Sequence, residues 1–166
     1  MLLLDLLLPI LGVVLDQLTK YFAVTRLQGN GSVSLIPGVF QLTYCENAGA
    51  AFSLFSGKRW LLALISAVML AALIFALRKN LMAAGVGRWG LRLVIAGAAG
   101  NLIDRVLYGY VVDFFDFRLI NFPIFNVADV LLNIGVVLML IDILFLEPKR
   151  AKKEKNGGNT ADHSGN

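Results

Sequence analysis

Apolar residues fall along this chain in four long blocks. Trp60–Leu77 is an uninterrupted run of 18 uncharged, mostly apolar residues, long enough as a helix to cross a hydrocarbon layer of about 30 Å. Leu2–Leu18, Trp89–Leu107 and Phe125–Leu146 have the required length but are interrupted, by Asp5 and Asp16, by Arg92, Asp104 and Arg105, and by Asp129 and Asp142. The pattern predicts four membrane-spanning helices. An ionised side chain inside a span is costly, so each interruption marks either an interface or a functional site.

The segments between the blocks predict a small sheet. In the first long loop, about 27–57, Ser32-Val33-Ser34-Leu35-Ile36 is followed by Pro37-Gly38 and then by Val39-Phe40-Gln41-Leu42-Thr43-Tyr44. β-branched and aromatic residues around a Pro-Gly turn signal a hairpin. The second loop, about 108–123, carries Tyr108, Tyr110, Phe114, Phe115, Phe117 and Phe122, and reads as an interfacial aromatic belt. From Pro148 onward the apolar content is lost. Residues 1–148 are therefore expected to form one mainly α-helical membrane domain with an outer β cradle, and 149–166 a basic, disordered tail.

Composition agrees with immersion in lipid. Of 166 residues, 58% are hydrophobic and 16% charged, against roughly 45–50% and about 25% in soluble domains, and the mean hydropathy is +0.75. The first block lacks a basic leader and a small-residue cleavage site, so it is expected to be retained as a span. Charge then sets direction. Nine basic residues lie between the second and third spans or after the fourth (Arg78, Lys79, Arg88, Arg92, Lys149, Arg150, Lys152, Lys153, Lys155), and six on the other side (Lys20, Arg26, Lys58, Arg59, Arg105, Arg118). The positive-inside rule places both termini in the cytoplasm. The tail accounts for much of the net charge of +4 and reads as an anchor near anionic headgroups, not as a nucleic-acid site.

With that direction the polar residues meet near the outer leaflet. Asp16 and Lys20 end the first span, Asn101, Asp104 and Arg105 end the third, Asn126 and Asp129 begin the fourth, and Asp113 follows in the second loop. Asn101, Asp104 and Arg105 share a helix face, as do Asn126, Asp129 and Asn133. Gly97, Ala98, Ala99 and Gly100 allow close backbone approach. Asp16 with Lys20, and Asp104 with Arg105, either neutralise one another or serve the site; the sequence favours neither. Asp5 and Asp142 lie toward the cytoplasmic interface and read as snorkelled or solvated carboxylates.

Asp113 and Asp129 have no adjacent base. Two uncompensated carboxylates at one low-dielectric depth tend to hold a single proton, the device of an aspartic protease. Elimination points the same way: the only histidine is His163 near the C-terminus and the only cysteine is Cys45. There is no His-Glu-x-x-His, no Gly-x-Ser-x-Gly and no intramembrane base for Ser53 or Ser56. A pairing of either serine with Lys58 has no supporting spacing. No metal and no cofactor is expected.

At these residues the chain closely resembles the lipoprotein signal peptidase (signal peptidase II) family. The matching blocks are Asp16-Gln17-Leu18-Thr19-Lys20, Asn47-Ala48-Gly49-Ala50-Ala51-Phe52, Gly100-Asn101-Leu102-Ile103-Asp104-Arg105, Val111-Val112-Asp113-Phe114 and Phe125-Asn126-Val127-Ala128-Asp129. The resemblance implies an aspartic endopeptidase of the bacterial inner membrane that removes signal peptides from diacylglyceryl-modified prolipoproteins, on the amino side of the lipobox cysteine. It implies Asp113 and Asp129 as the catalytic pair, with Asp16, Lys20, Asn47, Asn101, Asp104, Arg105 and Asn126 shaping the site and binding substrate. Its expected partners are lipid-modified precursors and membrane lipids, and the chain is expected to act as a monomer. From the residues alone, a small transporter or proton-conducting subunit is the alternative, since Asp, Asn and Arg also build ion pathways. A non-catalytic assembly factor would leave the convergence of two carboxylates unexplained.

Overall fold

The computed structural model describes residues 2–49, 59–82 and 85–148. Four long helices carry the chain: α1 (Leu2–Leu27), α2 (Arg59–Arg78), α3 (Val86–Leu107) and α4 (Val127–Ile141), the last running on through a π-helical turn, Asp142–Leu146. Strands β1 (Val33–Ile36) and β2 (Phe40–Asn47) follow α1, and β3 (Val111–Phe117) follows α3. Residues 50–52, 53, 56 and 58, together with the tail from 149, lie outside the described residues. The expectations for the end of the Asn47–Phe52 block, for Ser53, Ser56 and Lys58, and for the tail fall there.

The helices surround α3. α1, α2 and α4 all pack on it, and its buried residues include Gly87, Arg88, Leu91, Arg92, Ile95, Gly97, Asn101 and Asp104. That central position explains how α3 carries four charged residues, as many as the longer α1, because its polar groups face other helices. The outer helices turn apolar side chains outward instead: Leu11, Leu15 and Leu18 on α1, Val68 and Phe75 on α2, and Val137 on α4 are all exposed. By length and composition Trp60–Arg78, with mean hydropathy 2.7, and Val127–Leu146, with 2.4, are the helices apolar enough to cross a membrane among the described residues.

Small residues set the spacing between helices. A Cβ at Gly97 would stand 2.3 Å from the Ala128 carbonyl oxygen, and one at Gly90 would stand 2.5 Å from that of Gly135. α3 and α4 therefore touch backbone to backbone, as glycine-mediated membrane helix packing permits.

The expected hairpin is present, with Gly38 at φ 73 in its turn and Val33 paired with Leu42. The second loop adds a strand that its reading as an aromatic belt does not include. β3 pairs antiparallel with β2, Phe40 opposite Phe117 and Cys45 opposite Asp113, so the sheet has three strands in the order β1-β2-β3 and draws on both loops. Val112 and Phe114 of β3 pack on Ala23 and Leu27 of α1 and fix the sheet to the end of that helix. Backbone hydrogen bonds from Phe114 and Phe115 to the Phe125 carbonyl, at 3.0 and 2.8 Å, carry the chain from β3 into the start of α4.

Candidate active site

The β3–Phe125 bridge places Asn126 beside Asp113. Asn126 caps α4, and its Oδ1 accepts the Asp129 backbone N–H at 2.9 Å. The Asp129 carboxylate returns the bond, accepting the Asn126 N–H on Oδ2 at 3.2 Å. This reciprocal capping box satisfies two N–H groups that a helix start leaves without partners. It also orients the amide. With Oδ1 committed to the cap, Asn126 Nδ2 points across to Asp113 and donates to its Oδ1 at 2.6 Å. One residue thus touches both carboxylates.

Each aspartate has a second amide donor. Asp113 Oδ2 accepts Asn47 Nδ2 at 2.9 Å. Asn47 lies opposite Val111 in the β2–β3 register, diagonally across from Asp113, a separation within reach of side chains on one sheet face. Asp129 Oδ1 accepts Asn101 Nδ2 at 2.8 Å. Burial drives the Asp113 carboxyl up to about 6, the negative charge of Asp129 adds to the rise, and the Asn47 and Asn126 donors oppose it.

Behind the carboxylates lies an ionic layer. Lys20, 3% exposed, donates to Asn101 Oδ1 at 2.9 Å and bridges Asp16 at 2.9 Å and Asp104 at 3.0 Å. Asp16 Oδ1 accepts the Ala128 N–H at 2.9 Å, tying α1 to the first turn of α4. Asp104 Oδ2 accepts the Val112 N–H at 3.0 Å, tying α3 to β3. Of the two neutralisations that the sequence offers, Asp16 with Lys20 forms, whereas Asp104 pairs with Lys20 instead of Arg105. Arg105 reaches the Asn101 carbonyl at 3.4 Å.

All nine singled-out residues, Asp16, Lys20, Asn47, Asn101, Asp104, Arg105, Asp113, Asn126 and Asp129, therefore belong to one connected network of hydrogen bonds and ion pairs. Gln17 was missed. Its Nε2 donates to Asp104 Oδ1 at 3.0 Å and to the Gly100 carbonyl at 3.3 Å, and its only sequence signal was its place between Asp16 and Lys20. Gln17, Lys20, Asp104, Tyr108 and Tyr110 line a cavity of ≈ 260 Å³ beside this layer. Among the described residues, no cluster of histidine, cysteine and carboxylate side chains is arranged to hold a metal ion.

Of the two carboxylates that read as snorkelled or solvated, Asp5 is ion-paired and Asp142 is buried. Asp5 bridges Arg88 at 2.6 Å and Arg92 at 2.7 Å with its side chain 13% exposed. Asp142 is buried at 2% exposure, and a Cβ at Gly87 would stand 2.5 Å from its Oδ2. Helix packing closes over Asp142, whereas the Asp5 carboxylate is held by two guanidinium groups.

A buried pair of carboxylates linked by an amide can hold one proton and exchange it with a reactant, which is acid–base chemistry needing no metal. The family model for signal peptidase (SPase) II matches residues 8–145. A lipoprotein signal peptidase of Microcystis aeruginosa is 47% identical over 140 residues, 80% of this chain and 86% of the relative. One from Lactococcus lactis subsp. lactis is 44% identical over 142 residues, 86% of this chain and 94% of the relative. A bacterial membrane enzyme solved by the in meso method at 1.9 Å superposes with a TM-score of 0.76 at 38% identity, covering 86% of this chain and 93% of that one.

Proposed function

Since the chain belongs to the signal peptidase II family, we propose that Asp113 and Asp129 are its catalytic pair and that it is an aspartic endopeptidase. It is an integral membrane protease that cleaves signal peptides from prolipoproteins; the transporter alternative is not favoured. The observation that carries the catalytic assignment is Asn126, which donates to Asp113 with its side chain and is capped by Asp129.

The two carboxylates divide the work. Asp113, held up near 6 by burial, keeps the shared proton and hydrogen-bonds the scissile carbonyl. Asp129 stands in the first turn of α4, at the positive end of the helix dipole, with N–H donors on both oxygens, and carries the negative charge. It takes a proton from water as the oxygen attacks. The tetrahedral intermediate then collapses, the leaving amine receives a proton from the pair, and one proton again lies between the two acids. Lys20, Asp16, Asp104, Asn101 and Gln17 hold the frame, Asn47 and Asn126 orient Asp113, and Arg105, in reach of the Asn101 carbonyl, is assigned to substrate binding.

All four long helices span the inner membrane, both termini face the cytoplasm, and the sheet rests on the outer surface as a cradle. Residues 1–148 act as one domain and the chain works as a monomer. The substrate is a precursor carrying a diacylglyceryl group on the lipobox cysteine, and cleavage falls on the amino side of that cysteine. Purified protein given a diacylglyceryl-modified precursor and its unmodified counterpart tests this directly. Release of the signal peptide from the modified form alone is expected; equal cleavage of both forms would remove the lipid from the specificity.

A further inference from the structure

A second built region lies at the opposite end of the helices. Asp5 precedes Asp16 on α1 by three turns, about 17 Å along the axis. α1 and α2 both pack on α3 and leave between them a cavity of ≈ 740 Å³, lined by Leu6, Pro9, Ile10, Ile74, Leu77 and Ile95 and rimmed by Asp5, Arg78, Asn80 and Arg88. That volume lies within the ≈ 300–1,000 Å³ typical of small-molecule sites. Pro9 has no N–H to donate to the Asp5 carbonyl, so the wall of the cavity at α1 is also where that helix's own hydrogen bonding is interrupted.

The rim is cationic and rigid. Arg88 is 6% exposed and is held by Asp5 and, through Nη1, by the Asn80 side chain. Asp5 also binds Arg92, so its carboxylate is already committed. Arg78 has no ion-pair partner among the described residues and is exposed at the end of α2. Arg78, Lys79, Arg88 and Arg92 together outnumber Asp5, Asp142 and Glu147 at this end of the bundle. The site thus joins a long apolar slot to a mouth of uncompensated positive charge.

We propose that this cavity binds an anionic glycerophospholipid of the cytoplasmic leaflet, with one acyl chain in the α1–α2 slot and the phosphate at Arg78. The apolar walls fit a hydrocarbon chain, and the charge at the mouth fits a phosphodiester that carries no compensating cation. No catalytic residue takes part. The leaflet rests on the orientation given under Proposed function, but binding itself does not.

Native mass spectrometry of the full-length protein in neutral detergent tests it, with dioleoylphosphatidylglycerol or dioleoylphosphatidylcholine added. Retention of one phosphatidylglycerol, favoured about five-fold over phosphatidylcholine as one arginine near an anionic headgroup supports, is expected. Arg78→Gln should bring the two lipids to parity. Ile74→Trp, which fills the slot, should abolish retention, and Ile10→Trp on the facing wall does the same should the first variant fail to insert. Free glycerol phosphate should not displace the lipid. Equal retention of both lipids by the unmodified protein, a preference surviving Arg78→Gln, or displacement by glycerol phosphate would each overturn the proposal. Signal-peptide cleavage by Arg78→Gln in detergent should be unchanged, so a failure here is separable from a failure of the catalytic assignment.

Discussion

Lys20 donates to the Asn101 Oδ1 at 2.9 Å, and that bond decides which end of the Asn101 amide faces Asp129. An ammonium group can only donate, so Oδ1 must turn toward Lys20 and Nδ2 toward the carboxylate. The same ammonium bridges Asp16 and Asp104. A single buried cation therefore holds two carboxylates and orients the donor to a third.

Lys20→Met is accordingly expected to leave Asp16 and Asp104 buried without a cation. Breaking a buried ion pair by removing one partner costs about 3–5 kcal/mol, and thermal unfolding in detergent should register a loss of that size. Adding Asp104→Asn should recover part of it. A Lys20→Met protein as stable as the parent would show that the ammonium contributes no net stability.

Asp113→Asn and Asp129→Asn should each lower cleavage by at least the ~10²–10⁴-fold that a positioned acid or base contributes, while the protein remains folded and inserted. The Asn126 cap survives Asp129→Asn because a side-chain amide oxygen can still accept the Asn126 N–H, at the cost of the bond from Asn101, whose Nδ2 then faces an amino group. Turnover by either purified variant within a few-fold of the parent would sink the pair.

The raised carboxyl of Asp113 gives the stability a pH dependence with a definite sign. Its folded value, about 6, lies above the ordinary 3.8, so the folded chain holds this proton more tightly than the unfolded chain. Its contribution is fully present below pH 3.8 and is lost as pH rises through about 6. Between those limits the parent should lose about 3 kcal/mol relative to Asp113→Asn, at 1.36 kcal/mol per unit. Unfolding midpoints measured across this window check it. Asn47→Ala removes a donor that holds the value down, so the alkaline limb of its cleavage profile should move to higher pH; a shift to lower pH would contradict the assigned role.

Gly97→Ala tests the contact that brings α4 to α3. The new Cβ would stand 2.3 Å from the Ala128 carbonyl oxygen, one residue before Asp129, and a backbone carbonyl cannot swing aside as a side chain would. Overpacking of this kind costs about 1–3 kcal/mol. Cleavage should fall further than the stability loss explains, because the capping turn must shift. Unchanged kcat/KM would show that the turn tolerates the displacement.

Much of this site was legible because its residues fall at short, regular spacings. Asn126, Asp129 and Asn133 share one helix face, as do Asn101, Asp104 and Arg105; the capping box that Asn126 and Asp129 form shows only in the structure. The hairpin was legible from Pro37-Gly38. The pairing of β3 with β2 was not, since Phe40 and Phe117 are joined only by the tertiary fold and an aromatic stretch beside a span reads equally well as a belt. Nor was the Lys20–Asp104 bridge, for which Arg105 is the nearer cation in sequence. Arg88 and Arg92 count toward the cytoplasmic side, yet both are buried within α3 and paired with Asp5, so they are residues of the bundle rather than charges of the connecting loop.

Topology therefore needs its own measurement. Reporters fused after Lys153 and placed near Ala84 should both read as cytoplasmic, and one near Gly31 as external. Gly31 immediately precedes the hairpin, and the hairpin pairs with the strand that carries Asp113, so its side of the membrane is the side of the carboxylates. In sequence Ala84 falls between α2 and α3, and the described residues on either side, Asn80 and Arg88, meet at the Asp5 end of the bundle. These two reporters must disagree if α2 crosses the bilayer, whichever way the protein is inserted. An external reading at Ala84 with a cytoplasmic one at Gly31 would invert the protein and turn the carboxylates away from the face where a translocated precursor is cleaved. Equal readings at the two positions would mean that α2 does not span, and the Asp113–Asp129 layer would then lose the bilayer depth on which the mechanism depends.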